Sequence, residues 1–397
     1  MNTVTPEDVG FSSSRLSRVS GIMQGYVERG QLVGLITAVA RRGQIVHLER
    51  FGCMDAKTGQ PMEFDTIFRV FSMTKPVTSV ALMMLLEQGL LRLTDPVSGF
   101  IPAFGKVQVL GRDGRLVDLD RDITIHDLLR HTAGLSYQGY YKDSGEFVDK
   151  LYDEVDFWTP GTTSQEMVQG IAALPLAFQP GQAWRYSVAT DVIGHVVEII
   201  SDMSLGQFFE EKIFGPLGME DTAFSVPPEK ADRFAALYGA AEGGGLEEID
   251  HAIGGDYFDV SLHAGGSGLV STAADYLRFA QFLQNRGELD GARLLGPRTV
   301  DLMRANHLPP NVFPIAMGAE PMPGFGFGLG FSVMMDVALT GLIGSTGLYG
   351  WGGWAKTHFW VDPQDQIIGL LMTQYIYDGT HPAISDFRTL VYQALLD

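Results

Sequence analysis

The chain has 397 residues, 45% hydrophobic and 19% charged, enough to bury a large core in two lobes and unlike an intrinsically disordered segment. Its net charge of −19 leaves no basic face for neutralising phosphates, which argues against nucleic acid as a partner. One cysteine, Cys53, excludes an internal disulfide and fits a reducing compartment.

The opening MNTVTPEDVG has neither a basic start nor an apolar centre, so it does not read as a signal peptide. No apolar run approaches the roughly 20 residues that span a bilayer, and the expectation is a cytoplasmic protein without a membrane segment. Residues 14–30 repeat apolar positions (Leu16, Val19, Ile22, Met23, Tyr26) at helical spacing and stop at Gly30. LVGLITAVA and QIVHLERFG follow as two strands joined at Arg41-Arg42-Gly43, a hairpin pattern. Thr78 to Gly89 reads as a strongly apolar helix closed by glycine. From 100 to 260 the texture changes to short helical segments, TIHDLLRH and ATDVIGHVVEIISDM among them, broken by Pro and Gly loops. GAAEGGG at 239–245 reads as a flexible loop. Strand patterns return in FGFGLGFSVMMDV and KTHFWVDPQDQIIGLLMTQ, and AISDFRTLVYQALL is an amphipathic helix with Ile384, Phe387, Val391 and Leu395 on one face. The predicted fold is of the α+β kind within the α/β class: an antiparallel sheet flanked by N- and C-terminal helices. One lobe comes from residues 1–99 and 261–397, and a mostly helical lobe, 100–260, is inserted between them.

Several motifs point nowhere. The glycines of GFGFGLG (324–330) do not give G-x-G-x-x-G, and their period of two is that of a strand. GWGGWAKT (350–357) carries Ala355 where a phosphate loop needs glycine. No H-E-x-x-H occurs, His126 and His131 do not share a helix face, and G-x-S-x-G is absent. No metal or cofactor is implied.

Three stretches carry chemistry. In VFSMTKPVTS, Ser72 and Lys75 stand three apart at the mouth of the apolar helix, on one face and near the positive end of its dipole. The plain alternative is an ordinary helix start, with Ser72 as N-cap and Lys75 in solvent. As a base at neutral pH, Lys75 needs burial to bring its pKa down from about 10.4. Tyr186, in PGQAWRYSVATD, follows a Pro–Gly loop and precedes an amphipathic helix, where a phenol can reach a cleft and share a proton with a lysine. Local packing is the alternative there too. In GLYGWGGWAKTHFWVDPQ, Gly352 and Gly353 allow close backbone approach, so a strand end could line a site and donate N–H groups.

These stretches, in this order, resemble the serine β-lactamase and penicillin-binding-protein superfamily. FRVFSMTKPVTSVALMMLLEQGLLRLTDPV looks like its nucleophile helix, and ITIHDLLRHTAGL, PGQAWRYS and IFGPLGMEDTAF are similar to its other landmarks. The resemblance covers roughly residues 15–375. It implies the β-lactamase/DD-peptidase-like fold with the active site between the lobes, Ser72 as nucleophile, Lys75 and Tyr186 as the proton-transfer pair, and an oxyanion hole from the backbone N–H groups of Ser72 and Trp354. Departures bear on substrate. Val188 replaces the amide of Tyr-x-Asn, and Trp351-Gly352-Gly353 stands where Lys-Thr-Gly or His-Thr-Gly is usual, Lys356-Thr357 lying too late. Trp351 removes the cation that would pair with a substrate carboxylate.

Trp-Gly-Gly with Tyr-Ser is the pattern of family VIII carboxylesterases. The expected function is therefore hydrolysis of short-chain carboxylic esters, with a small ester and water as the only partners. Trp351, Gly352, Gly353, Val188, Tyr137 and Trp158 are the expected substrate contacts, the last two from the aromatic, acidic stretch 136–158 with Tyr140 and Tyr141. The loop LHAGGSG, with Leu262, His263 and Gly265 to Gly268, resembles one that borders the cleft. The same scaffold serves β-lactamases, D-amino-acid peptidases or amidases, and acyltransferases. A catalytically silent binding protein is the reading from another class, against which Ser72, Lys75 and Tyr186 all stand.

Overall fold

The computed structural model describes residues 3–396 apart from 112, 142–143, 145, 242, 250–255 and 377–380. Its centre is an antiparallel sheet of eight strands. The N-terminal part supplies β1 (Gly34–Arg41), β2 (Gln44–Asp55) and the short β3 (Gln60–Pro61). The C-terminal part supplies β4 (Phe325–Phe327), β5 (Ser332–Met334), β6 (Tyr349–Gly352), β7 (His358–Asp362) and β8 (Ile367–Thr373). The order is β4-β5-β6-β7-β8-β1-β2-β3, so the two chain ends meet where β1 pairs with β8, Leu35 opposite Thr373 through Arg41 opposite Ile367. The β1–β2 turn forms at Arg42 and Gly43, both at positive φ (52° and 77°), the twist-matched two-residue hairpin expected there.

Every residue of β1 and β8 is buried, which requires cover on both faces. Consecutive residues of β7 show how it is arranged. Phe359 packs on Tyr276 of α4 (Ala273–Gln284) at 5.1 Å, whereas Trp360 packs on Phe387 of α6 (Pro382–Tyr392) at 5.3 Å. The C-terminal helix lies beside the N-terminal α1 (Arg18–Glu28), joined by Tyr26 Oη donating to Asp386 at 2.6 Å. Its buried face is Ala383, Phe387 and Val391, with Ile384 and Leu395 half-buried at the margin.

Thr74–Glu87 forms α2, buried around almost its whole circumference, and Ala189–Ser201 forms α3, which packs against it. A further short helix, α5 (Pro297–Met303), follows α4. Between residues 100 and 232 the chain is a set of short helices, two of them opened by reciprocal caps, Thr124 with Asp127 and Thr163 with Glu166. Residues 233–249, expected in the inserted lobe, lie instead beside the sheet. Ala236 N–H donates to Met54 O at 3.0 Å, and Tyr238–Ala240 pairs in parallel with Tyr375–Ile376. The glycine run 239–245 is the turn from that strand into Leu246–Glu248, with residue 242 outside the described residues. Among the described residues no helix is long and apolar enough to cross a membrane.

Candidate active site

The nucleophile stretch is a 3-10 turn, Phe71–Met73, running into α2. Phe71 takes a positive φ of 43°, which for a residue with a side chain costs about 1–3 kcal/mol and persists only where packing enforces it. Here Phe71 is buried against Leu237 and Ala355 and meets the Trp354 ring at 5.7 Å. Ser72 emerges half-buried, while Lys75, one turn on, has no exposed surface. Lys75 does not face solvent, which rejects the plain helix-start alternative.

Lys75 Nζ donates to Ser72 Oγ at 3.3 Å and to the Gly266 carbonyl at 2.7 Å, and Tyr186 Oη donates to Ser72 Oγ at 2.6 Å. The three side chains thus meet on one oxygen. Burial brings the Lys75 ammonium down to about 7, opposed by the nearby Asp191 charge. Burial also raises the Tyr186 phenol well above its ordinary value, so at neutral pH it is a donor. The Asp191 carboxyl is pushed up to about 6 by burial, with Lys75 and the Gly266 N–H pulling the other way.

Asp191 was not singled out from the sequence, and Gly266 only as one of the glycines of the LHAGGSG loop. Asp191 Oδ1 accepts from Gly266 N–H at 2.8 Å, so the backbone of one residue, Gly266, links the carboxylate to the lysine. Its other oxygen is buried without a partner. The available signal was an acidic residue in the first turn of an otherwise apolar helix, five places after Tyr186, which also suits the helix dipole and so passes as ordinary. The LHAGGSG loop is the back wall of the site: Gly265 O accepts from Thr78 Oγ1 at 2.6 Å, and Leu269 N–H donates to Thr74 Oγ1 at 3.1 Å.

The end of β6 closes the other side. A Cβ on Gly353 would stand 2.4 Å from the Val70 carbonyl oxygen, so glycine is what lets this strand end reach the turn that carries Ser72. Thr357, part of the misplaced Lys-Thr pair, is buried and its Oγ1 donates to Val70 O at 3.4 Å. Neither the Ser72 nor the Trp354 backbone N–H has an acceptor among the described residues. Trp351 is buried, with its ring 5.6 Å from Tyr186 and 5.3 Å from Phe327. Gly352 and Gly353 are half-buried beside it.

Tyr137 stacks on Tyr186 at 5.6 Å with the planes 8° apart, and Lys75 Nζ lies 5.4 Å from the Tyr137 ring centre. Tyr140, Trp184 and His131 complete the ring cluster around Tyr186 at 5.5, 6.3 and 5.1 Å. Two of the expected contacts stand apart from this ring cluster. Val188 is fully buried at the start of α3, its N–H donating to Ser136 O at 3.1 Å, so it fills the core behind the site and presents no surface to a ligand. Trp158 is half-buried and makes no ring contact with this cluster among the described residues. Nor does any group of three His, Cys, Asp or Glu side chains among them suit a metal ion.

A serine that shares its oxygen with a buried lysine and a tyrosine, beside two unpaired amides, is equipped for acyl transfer. The comparisons agree. Residues 19–392 match the family model described as Beta-lactamase. Protein Rv1367c of Mycobacterium tuberculosis is 37% identical over 381 residues, covering 91% of this chain and 93% of that protein. Esterase EstB of Burkholderia gladioli is 31% identical over 419 residues, covering 99% and 100%. The solved structure of EstCE1, described as a hydrolase with promiscuous acyltransferase activity, superposes with a TM-score of 0.82 at 29% identity over 96% of this chain and 99% of that one. With residues 19–392 matching that model and 99% of its length aligned with Esterase EstB, the chain belongs to the β-lactamase family of serine hydrolases.

Proposed function

We propose that the protein is a carboxylesterase for short-chain, neutral esters, working through an acyl-enzyme on Ser72. Neutral Lys75 takes the Ser72 proton as Oγ attacks the ester carbonyl, and the backbone N–H groups of Ser72 and Trp354 receive the oxyanion, each worth about 3 kcal/mol. Tyr186 donates its proton to the leaving alkoxide and regains one from the Lys75 ammonium, whose Nζ lies 4.6 Å from its ring centre. Water then attacks the acyl-enzyme by the same route in reverse and releases the carboxylic acid. Esterase EstB supports the activity class, and a single half-buried cysteine supports a cytoplasmic setting.

The observation that carries the substrate class is Trp351. Its ring, packed on Tyr186 and Phe327, stands beside the nucleophile in place of a cation. Lys75 is committed to Ser72 and Gly266, and Arg185 to Asp149 at 2.5 Å. A substrate carboxylate would be desolvated there without a partner, costing several kcal/mol, which neutral esters avoid. Release of the acyl group to an alcohol is the second reading, favoured by the likeness to EstCE1.

The test is a comparison of kcat/KM for acetyl to hexanoyl aryl esters and for a chromogenic cephalosporin on the purified protein. The cephalosporin should be weaker by on the order of a thousandfold or more, and Ser72→Ala should remove both activities by several orders of magnitude. Cephalosporin turnover within about tenfold of ester turnover overturns the esterase reading.

A further inference from the structure

Away from Ser72, the end of α4, helix α5, Tyr349 of β6 and the Pro363–Gln366 turn enclose a cavity of about 420 Å³. No residue of the active site lines it, and its size is that of small-molecule sites. Three arginines line it around one carboxylate. Asp301 Oδ1 accepts from Arg304 Nε (3.2 Å) and Nη2 (3.0 Å), and Oδ2 accepts from Arg298 Nη1 (3.3 Å) and from Arg286 Nη2. The remaining guanidinium N–H groups have no partner among the described residues. Three cations sharing one anion leave surplus positive charge, in a chain whose net charge is −19. Asp365 on the neighbouring turn does not line the cavity; its carboxylate accepts from Ser345 Oγ at 3.2 Å.

Two uncharged groups narrow the ligand. Tyr349 is buried against Phe331, its ring 4.8 Å away, and its hydroxyl makes no hydrogen bond among the described residues. Gln284 Oε1 is buried in the same wall without a partner, and a lone acceptor asks the ligand for a donor. Guanidinium forks suit a tetrahedral oxyanion, and the Gln284 oxygen suits one that still carries an O–H. At neutral pH inorganic phosphate meets both demands, keeping at least one O–H; a carboxylate, a sulfate or the dianion of a phosphate monoester has no proton to give.

We propose that this cavity binds inorganic phosphate through Arg286, Arg298 and Arg304, with Tyr349 as a further donor and Gln284 as acceptor of the phosphate O–H. Calorimetric titration of the full chain with inorganic phosphate, at constant ionic strength set by chloride, tests it. Saturable binding is expected, weakened at least about fivefold when sulfate or acetate is the probe, since neither satisfies Gln284. Glycerol phosphate, mostly a dianion without a phosphate O–H at neutral pH, should bind more weakly than the free ion in a parallel titration. Arg298→Gln with Arg304→Gln should weaken phosphate binding at least about tenfold while ester hydrolysis is retained. The Arg298 side chain is 91% exposed, so the single Arg298→Gln variant, which leaves the core untouched, serves if the double variant fails to fold. Absence of saturable binding, equal binding of sulfate, or unchanged phosphate affinity in the folded variants overturns the proposal.

Discussion

Lys75 is the residue whose environment decides the chemistry. A lysine without exposed surface is held by two acceptors, Ser72 Oγ and Gly266 O, and by burial that brings its pKa to about 7. As the neutral form is the base, kcat/KM for an ester should rise with pH on a limb near 7. Asp191 raises the Lys75 pKa by its charge, so Asp191→Asn should move that limb to lower pH while leaving an acceptor for Gly266 N–H. The pH profiles of the two proteins, measured with one ester, check the sign; a limb that stays in place removes Asp191 from the account. Lys75→Ala and Tyr186→Phe should each lower kcat far more than they raise KM, and their combination should be non-additive because both act on the Ser72 proton. An effect confined to KM would assign either residue to substrate binding instead.

At the scale of elements, the site depends on the end of β6 touching the turn before α2. The Gly-Gly pair and the Ser-x-x-Lys helix are each visible in the sequence, but their contact is not. Nothing in either stretch shows that a Cβ at 353 would stand 2.4 Å from Val70 O and 2.2 Å from Thr357 Oγ1. Gly353→Ala should therefore displace the Trp354 amide and cost about a hundredfold in kcat, the scale of losing one oxyanion donor. Gly352→Ala, whose nearest contact would be His358 Nδ1 at 3.0 Å, should cost much less. Steady-state kinetics on both variants, with circular dichroism to confirm folding, separates the two positions. The helix α3 shows the limits of pattern reading in another way: its apolar periodicity was legible, yet both Val188 and Asp191 point inward, one into core and one to the lysine.

For the whole molecule, stability and site are built from distant pieces of chain. The sheet closes where β1 meets β8, and α6 seals its outer face through Phe387, which is fully buried against Trp360 and lies 6.4 Å from the His47 ring. Phe387→Ala should destabilise the fold by about 3–5 kcal/mol, the cost of a cavity left by a buried aromatic side chain. Because Phe387 is on the sheet face opposite to Tyr276 and α4, kcat at low temperature should be nearly unchanged. Urea unfolding and ester turnover on the same preparation check both halves of that expectation.

Local structure and the candidate site residues were legible from the amino-acid order alone. The hairpin at Arg42-Gly43, the buried helix after Ser72, the late strands and the C-terminal helix follow from period, turn chemistry and helix ends, which act over a few residues. Ser72, Lys75 and Tyr186 were legible because Ser-x-x-Lys puts two groups on one helical face and the ordered stretches resemble a family. What depends on residues far apart in the chain came from tertiary packing. It drew 233–249 to the sheet, shut Val188 into the core, gathered Trp184, His131 and Phe327 with Trp351 around Tyr186, and set Asp191 opposite Lys75 across the backbone of Gly266. Burial and the fields of neighbouring charges come from packing between segments. For that reason Lys75, which a helix start alone would leave in solvent, has its pKa brought down to about 7 in the folded chain.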